Sequence, residues 1–179
     1  TTVLAQRDHS ISILTFDPPE GKSFYPLHAS INRINLGIGD VKRSATFLET
    51  LRRMVALRKA VVQYNPDIVV GFMHSMFIPL GMALLGTKFP VIASEHISVE
   101  HYRLRPLEYF LLQLTPYITK QITVISQKLR DDFNSHLRNH MTVISNPVSI
   151  PSHNGIEEKR YNLTRKIILS IGRLAPQKD

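Results

Sequence analysis

A chain of 179 residues with 43% apolar residues can bury one substantial core but is short for two complete domains, so one domain plus part of another is expected. The absence of cysteine excludes disulfides, thiol nucleophiles and thiolate metal sites, and fits a reducing compartment. A formal net charge of +8 favours an anionic partner, which charge alone leaves open among nucleic acid, an anionic membrane surface and a phosphorylated small molecule. No apolar run approaches the roughly 18 to 20 residues of a membrane-spanning helix, so contact with a bilayer would be peripheral. The chain opens on Thr1-Thr2 with neither an initiator Met nor a signal-peptide pattern, and reads as part of a longer sequence.

In chain order, the apolar run Ile11 to Phe16 reads as a strand. The clearest helix spans about Val41 to Tyr64. On a wheel of about 100° per residue, Phe47, Leu48, Leu51, Met54, Val55, Val61 and Val62 share one side, with Glu49, Arg52, Arg53, Lys59 and Gln63 opposite. It ends at Asn65-Pro66, because proline cannot continue the hydrogen-bond ladder and drives the residue before it out of helical geometry. The strand Ile68 to Val70 follows. A helix is expected over Ser75 to Leu85, a strand over Val91 to Ala93, and a helix over Pro106 to Tyr117 with its proline in the first turn. Then come a strand over Ile122 to Ile125, a helix over Gln127 to Leu137 and a strand over Met141 to Ile144. The polar stretch Ser149 to Arg165 reads as a linker, and Ile167 to Ile171 as a final strand.

Most of these strands are near-continuous Val/Ile runs, as in parallel sheets covered by helices on both faces. Their alternation with helices predicts an α/β, doubly wound, Rossmann-like parallel sheet. Ligands of such sheets bind outside the carboxyl ends of the strands. Residues 1–148 would form this domain and 149–165 the linker, with 166–179 opening a second domain.

The strand Ile167 to Ile171 runs into Gly172 and presents Arg173 and Lys178 at its carboxyl edge. An arginine fork and a lysine point charge there suit a diphosphate, the first by bidentate contacts, the second by neutralising charge on a leaving group. The competing reading is a surface turn with two solvated cations. Ser94, Glu95 and His96 follow the Val91 to Ala93 strand at an equivalent edge, where His96 can donate a hydrogen bond, act as acid or base, or simply cap the next helix. Arg103 and Arg105, shortly after, are placed to meet a phosphorylated acceptor. His96 and His101 stand five apart, unlike the four-residue spacing of a helical zinc site, and Asp131-Asp132 falls in a helix with no Asp-x-Asp motif anywhere, so no metal is expected. The cations Lys42, Arg43, Arg52, Arg53 and Lys59, set against Glu49 alone, make a solvated face or one that lies on anionic lipid. Arg58, on the apolar side, is expected to snorkel outward.

Gly172-Arg173-Leu174-Ala175-Pro176-Gln177-Lys178 after an apolar strand, with Val143-Ile144-Ser145-Asn146-Pro147-Val148 upstream, resembles the family 4 glycosyltransferases of the GT-B fold. Tyr64-Asn65-Pro66-Asp67-Ile68-Val69-Val70, Ile122-Thr123-Val124-Ile125-Ser126 and Asp8-His9-Ser10-Ile11-Ser12-Ile13-Leu14 stand in the order usual for that family, so the resemblance covers nearly the whole chain. It implies that residues 1–148 are an amino-terminal, acceptor-side domain lacking its first strand, and that residues 166–179 open the nucleotide-sugar domain. It also implies transfer of a hexosyl-type sugar, with retention, from a nucleotide-sugar donor to a saccharide or lipid-linked acceptor. His96 matches the histidine that lies against the reacting sugar, and Gly172, Arg173 and Lys178 match the donor diphosphate site. Glu95, Arg103 and Arg105 are the acceptor-side candidates. The family's paired glutamates for the donor sugar would lie beyond Asp179, so the fragment is expected to be inactive alone. No cofactor beyond the donor substrate is expected, and the location would be cytoplasmic, with peripheral contact to an anionic inner membrane face.

Two other classes compete. A noncatalytic nucleic-acid-binding module fits the charge, but the lysines and arginines are dispersed and the aromatics form no basic stacking platform, so nucleic acid is not the expected partner. A nicotinamide-binding domain would need a Gly-x-Gly-x-x-Gly turn, which these 179 residues do not contain, although the opening strand expected to carry it would lie before Thr1.

Overall fold

A computed structural model describes residues 2–38 and 45–147. The chain begins with a short helix α1 (Thr2–Ala5), then β1 (Ile11–Thr15) and β2 (Ile31–Asn35), which pair in parallel with Ile11 opposite Ile31 and Thr15 opposite Asn35. The long helix α2 (Phe47–Tyr64) leads to β3 (Val69–Phe72), α3 (His74–Ala83) and β4 (Val91–Glu95). A 3-10 turn (Val99–Tyr102) precedes α4 (Pro106–Gln113) and α5 (Thr115–Ile118). Then follow β5 (Gln121–Val124), α6 (Gln127–Asp132), α7 (Ser135–Arg138) and β6 (Met141–Val143).

Strands β3, β4, β5 and β6 form one parallel sheet in chain order, joined through helices, so the fold is α/β with Rossmann-like parallel sheets. Two clusters make the core. Phe77, Ile78, Ala93, Leu112, Ile122 and Val124 anchor one, with Phe133 and Leu137 beneath the later helices. Leu57 and Val61 of α2 meet Leu80, Leu84, Phe89 and Val91 in the other, where Leu14, Phe16 and Leu36 join from the β1–β2 side. Gly71 in β3 is required by the first of these contacts, because a Cβ there would stand 2.8 Å from the Phe77 backbone.

The helix α2 ends where the sequence predicts, with Asn65 in the left-handed conformation at φ 44°. It starts later than Val41: Thr46 caps it and Glu49 reaches back to the Thr46 N–H, so a capping box sets the first turn at Phe47. The helix is also rolled away from the expected orientation. Met54 is half-buried and Leu57, Ala60 and Val61 are buried, whereas Leu48, Leu51, Val55 and Val62 are exposed. At 100° per residue these four stand about 120° to 180° from Leu57, which makes a second, solvent-facing apolar stripe. Arg58 does reach outward, and its guanidinium donates to the Ala83 and Leu85 carbonyls at 2.6 and 3.0 Å, capping the carboxyl end of α3.

Strand β2 has no counterpart in the sequence reading. Ile31 and Ile34 are separated by Asn32 and Arg33, so neither a run nor a period of two shows. Side-chain bonding holds it instead. Arg33 pairs with Asp17 at 2.6 Å, and the Asn35 amide donates to the carbonyls of Pro18, Pro19 and Gly21. The single helices expected over Pro106 to Tyr117 and Gln127 to Leu137 are each two helices. Pro116 restarts the first, and Asn134 caps α7 by accepting from the Leu137 N–H at 3.0 Å. The linker 149–165 and the strand Ile167 to Ile171 lie outside the described residues.

Candidate active site

The carboxyl ends of β3 and β4 carry the polar groups of interest. In β4 the odd positions Val91, Ala93 and Glu95 point into the core, since side chains alternate along a strand. Glu95 is therefore 0% exposed, which calls for compensation of its carboxylate. Its Oε1 accepts the backbone N–H groups of His96 and Ile97, both at 2.8 Å, and its Oε2 accepts the Tyr102 hydroxyl at 2.8 Å. These three bonds pull the chain into a tight bend directly after the strand. Glu95 is thus a fold-holding carboxylate inside the protein and not the acceptor-facing group expected from the sequence.

The bend sets His96. It is half-buried, its Nε2 lies 2.9 Å from Ser94 Oγ, and its ring stacks edge-on against Phe72 with centroids 5.9 Å apart. Ser94 is in turn held by the Thr123 hydroxyl at 3.1 Å. Among the described residues, His96 caps no helix through its ring. It is a polar group braced at a strand end and still partly open to solvent.

Beside it, β3 is followed by Met73, whose φ of 66° and ψ of 148° fall where side-chain-bearing residues rarely go. Such a conformation costs about 1–3 kcal/mol and collects at functional sites. It is held by the Met73 N–H donating to the Ser94 carbonyl at 2.9 Å, and it delivers His74 to the same edge.

His74 is the member of the site that sequence reading missed. Its Nδ1 is 2.8 Å from the Tyr102 hydroxyl oxygen, and its Nε2 is 3.2 Å from Glu108 Oε2, which His101 Nε2 also approaches at 3.6 Å. Burial pushes the His74 pKa down, against the opposing pull of Glu95 and Glu108. Burial, with Glu95 close by, drives the Tyr102 pKa upward, so its hydroxyl stays protonated and remains a donor. Only the topology gathers these residues, and the lone available signal was a histidine directly after a strand.

Arg103 and Arg105 are exposed, and Arg105 pairs with Glu108 at 3.0 Å. Gly172, Arg173 and Lys178 lie outside the described residues, so the site brings His96 together with Ser94, Phe72 and Met73 and says nothing of the diphosphate group.

The chain is similar to a GalNAc-α-(1→4)-GalNAc-α-(1→3)-diNAcBac-PP-undecaprenol α-1,4-N-acetyl-D-galactosaminyltransferase of Campylobacter jejuni, at 30% identity over 115 residues. That match covers 62% of this chain, and the chain spans 30% of the relative's length. Among solved structures it is similar to the UDP-GlcNAc 2-epimerase from Methanocaldococcus jannaschii, with a TM-score of 0.44 and 17% identity over 63% of this chain and 30% of that one. The family model for Glycosyltransferase Family 4 matches residues 1–150. With that match over most of its length, on a parallel α/β frame whose strand ends carry a braced histidine, the chain belongs to Glycosyltransferase Family 4.

Proposed function

We propose that the whole protein transfers a hexosyl-type sugar, with retention, from a nucleotide-sugar donor to a saccharide or lipid-linked acceptor at the cytoplasmic face of a membrane. The observation that carries this reading is the placement of His96 at the carboxyl end of β4 within a family 4 domain. His96 donates a hydrogen bond to the reacting sugar, or moves a proton there, from a ring held by Ser94. Gly172, Arg173 and Lys178, matched by resemblance, bind the donor diphosphate and stabilise its departing charge without a metal ion. Arg103 and Arg105 meet the acceptor's phosphate. Residues 166–179 then open a nucleotide-sugar domain.

The lipid-linked acceptor is supported by the undecaprenol-linked substrate in the name of the Campylobacter relative and by two exposed surfaces. The outer stripe of α2, with Leu48, Leu51 and Val55, runs beside Arg52 and Lys59. Leu104, Leu107 and Phe110, respectively 93%, 69% and 58% exposed, flank Arg103 and Arg105. Apolar side chains ringed by cations suit insertion at an anionic bilayer surface, at about 1 kcal/mol per cation close to it. Among the described residues no helix is long and apolar enough to cross a membrane.

The test is incubation of the whole enzyme with a panel of nucleotide sugars and polyprenyl-diphosphate saccharides. One donor giving a lengthened glycan with the donor's anomeric configuration supports the reading. Release of free sugar only, or of no nucleotide at all across the panel, refutes it.

A further inference from the structure

Three side chains from three elements converge beside the bend. His74 opens α3, His101 sits in the 3-10 turn and Glu108 lies in the first turn of α4, with one ligand-type atom from each within 4.8 Å of the others. Hydrogen bonding makes the arrangement directional. With the Tyr102 proton on Glu95, the hydroxyl accepts from His74, and a neutral His74 then carries its proton on Nδ1. The lone pair of Nε2 then faces Glu108 Oε2 at 3.2 Å. That oxygen is buried and, among the described residues, is approached only by the His74 and His101 ring nitrogens, while its twin Oε1 is held by Arg105. An imidazole lone pair and a carboxylate oxygen facing one another repel, unless a positive centre, a bound metal ion or the proton of an imidazolium, lies between them.

We infer that His74, His101 and Glu108 form a binding site for a divalent transition-metal ion of the zinc class. Two imidazole nitrogens and one carboxylate oxygen are a zinc donor set, with one coordination position left over. Tetrahedral zinc separates its ligand atoms by about 3.3 Å, given bonds of about 2.0 Å. The 3.2 and 3.6 Å separations from Glu108 Oε2 to the two ring nitrogens are close to that spacing, and the three ligand atoms all lie within 4.8 Å of one another. The outer supports are present as well. Tyr102, backed by Glu95, fixes the His74 tautomer and ring, and Arg105 turns the Glu108 carboxylate. Such an ion would staple α3, the 3-10 turn and α4 behind the bend that carries His96. It is separate from the diphosphate chemistry proposed above and does not depend on it.

The experiment is titration of the metal-stripped protein with zinc chloride against a chromogenic chelator, followed by thermal unfolding with and without zinc. One equivalent is expected to bind at micromolar affinity or tighter, and zinc at 100 times its Kd raises the Tm by about 5 to 10 °C. Magnesium at millimolar concentration leaves both readings unchanged, because imidazole donors do not suit it. Glu108→Gln and His101→Gln, both partly exposed and so compatible with folding, each weaken zinc binding by about tenfold or more. His136→Gln, which alters the separate surface pair His136 and His140, leaves it unchanged. Absence of stoichiometric binding, or binding that survives both Glu108→Gln and His101→Gln, overturns the assignment.

Discussion

Replacing Tyr102 by Phe removes one oxygen from the centre of the bend and nothing else, since the ring volume stays. Tyr102 is 3% exposed and Glu95 0%, so solvent cannot substitute for the lost group. The change deletes a hydrogen bond to a buried carboxylate, at about 1.5–3 kcal/mol, and leaves the His74 Nδ1–H without its acceptor. Part of that second loss is recovered if His74 turns toward Glu95 Oε2, now 4.0 Å away. A net destabilisation of about 2–4 kcal/mol is expected. For a chain of this length that lowers the Tm by about 5 to 15 °C, read by differential scanning calorimetry. The two N–H bonds from His96 and Ile97 to Glu95 Oε1 survive, so the bend is loosened and not lost. A Tyr102→Phe protein melting within about 2 °C of wild type would show that the buried relay does not hold this edge together.

If Arg173 and Lys178 bind the donor diphosphate as proposed, Arg173→Ala and Lys178→Ala in the whole enzyme each lower turnover by roughly 10² or more in steady-state kinetics, through loss of charge stabilisation on the leaving group; a loss under twofold removes that residue from the proposed site. Gly71→Ala is expected to destabilise by about 1–3 kcal/mol in urea unfolding, since its Cβ would stand 2.8 Å from the Phe77 backbone and the strand or α3 must shift. Unchanged stability would mean that the β3–α3 approach relaxes freely. If two fixed cations meet the leaving group as proposed, added Mg²⁺ or Mn²⁺ should leave the transfer rate unchanged; a strict requirement for either ion contradicts that proposal.

The alternation of elements was legible because parallel strands buried on both faces leave dense Val/Ile runs, as at Ile122 to Val124, and because Asn65-Pro66 and Pro106 mark helix ends on covalent grounds. Strand β2 was not legible, since its stability comes from Arg33 and Asn35 reaching residues that stand 12 to 17 positions away. The roll of α2 escaped for a related reason. A helix with apolar residues on two faces offers two solutions to a wheel, and only packing against Leu80 and Leu84 chooses Leu57 and Val61. At the site, position after a strand flagged both Glu95 and His96 but could not tell which points inward. The pleat decides that, and it puts Glu95 in line with Ala93 and beneath Tyr102. His74, His101 and Glu108 are 27 and 7 residues apart along the chain, so no motif of local spacing could join them.

Whether His96 acts on the transferred sugar, as proposed, or is a structural histidine is decided by His96→Ala, with kinetics and thermal unfolding on the same preparation. The side chain is half-buried and, among the described residues, its ring hydrogen-bonds only Ser94, so the Tm should fall by no more than about 2 °C. Turnover should fall by about 10², equivalent to about 2.7 kcal/mol of transition-state stabilisation. A clear loss of stability with turnover per folded molecule preserved would contradict the account.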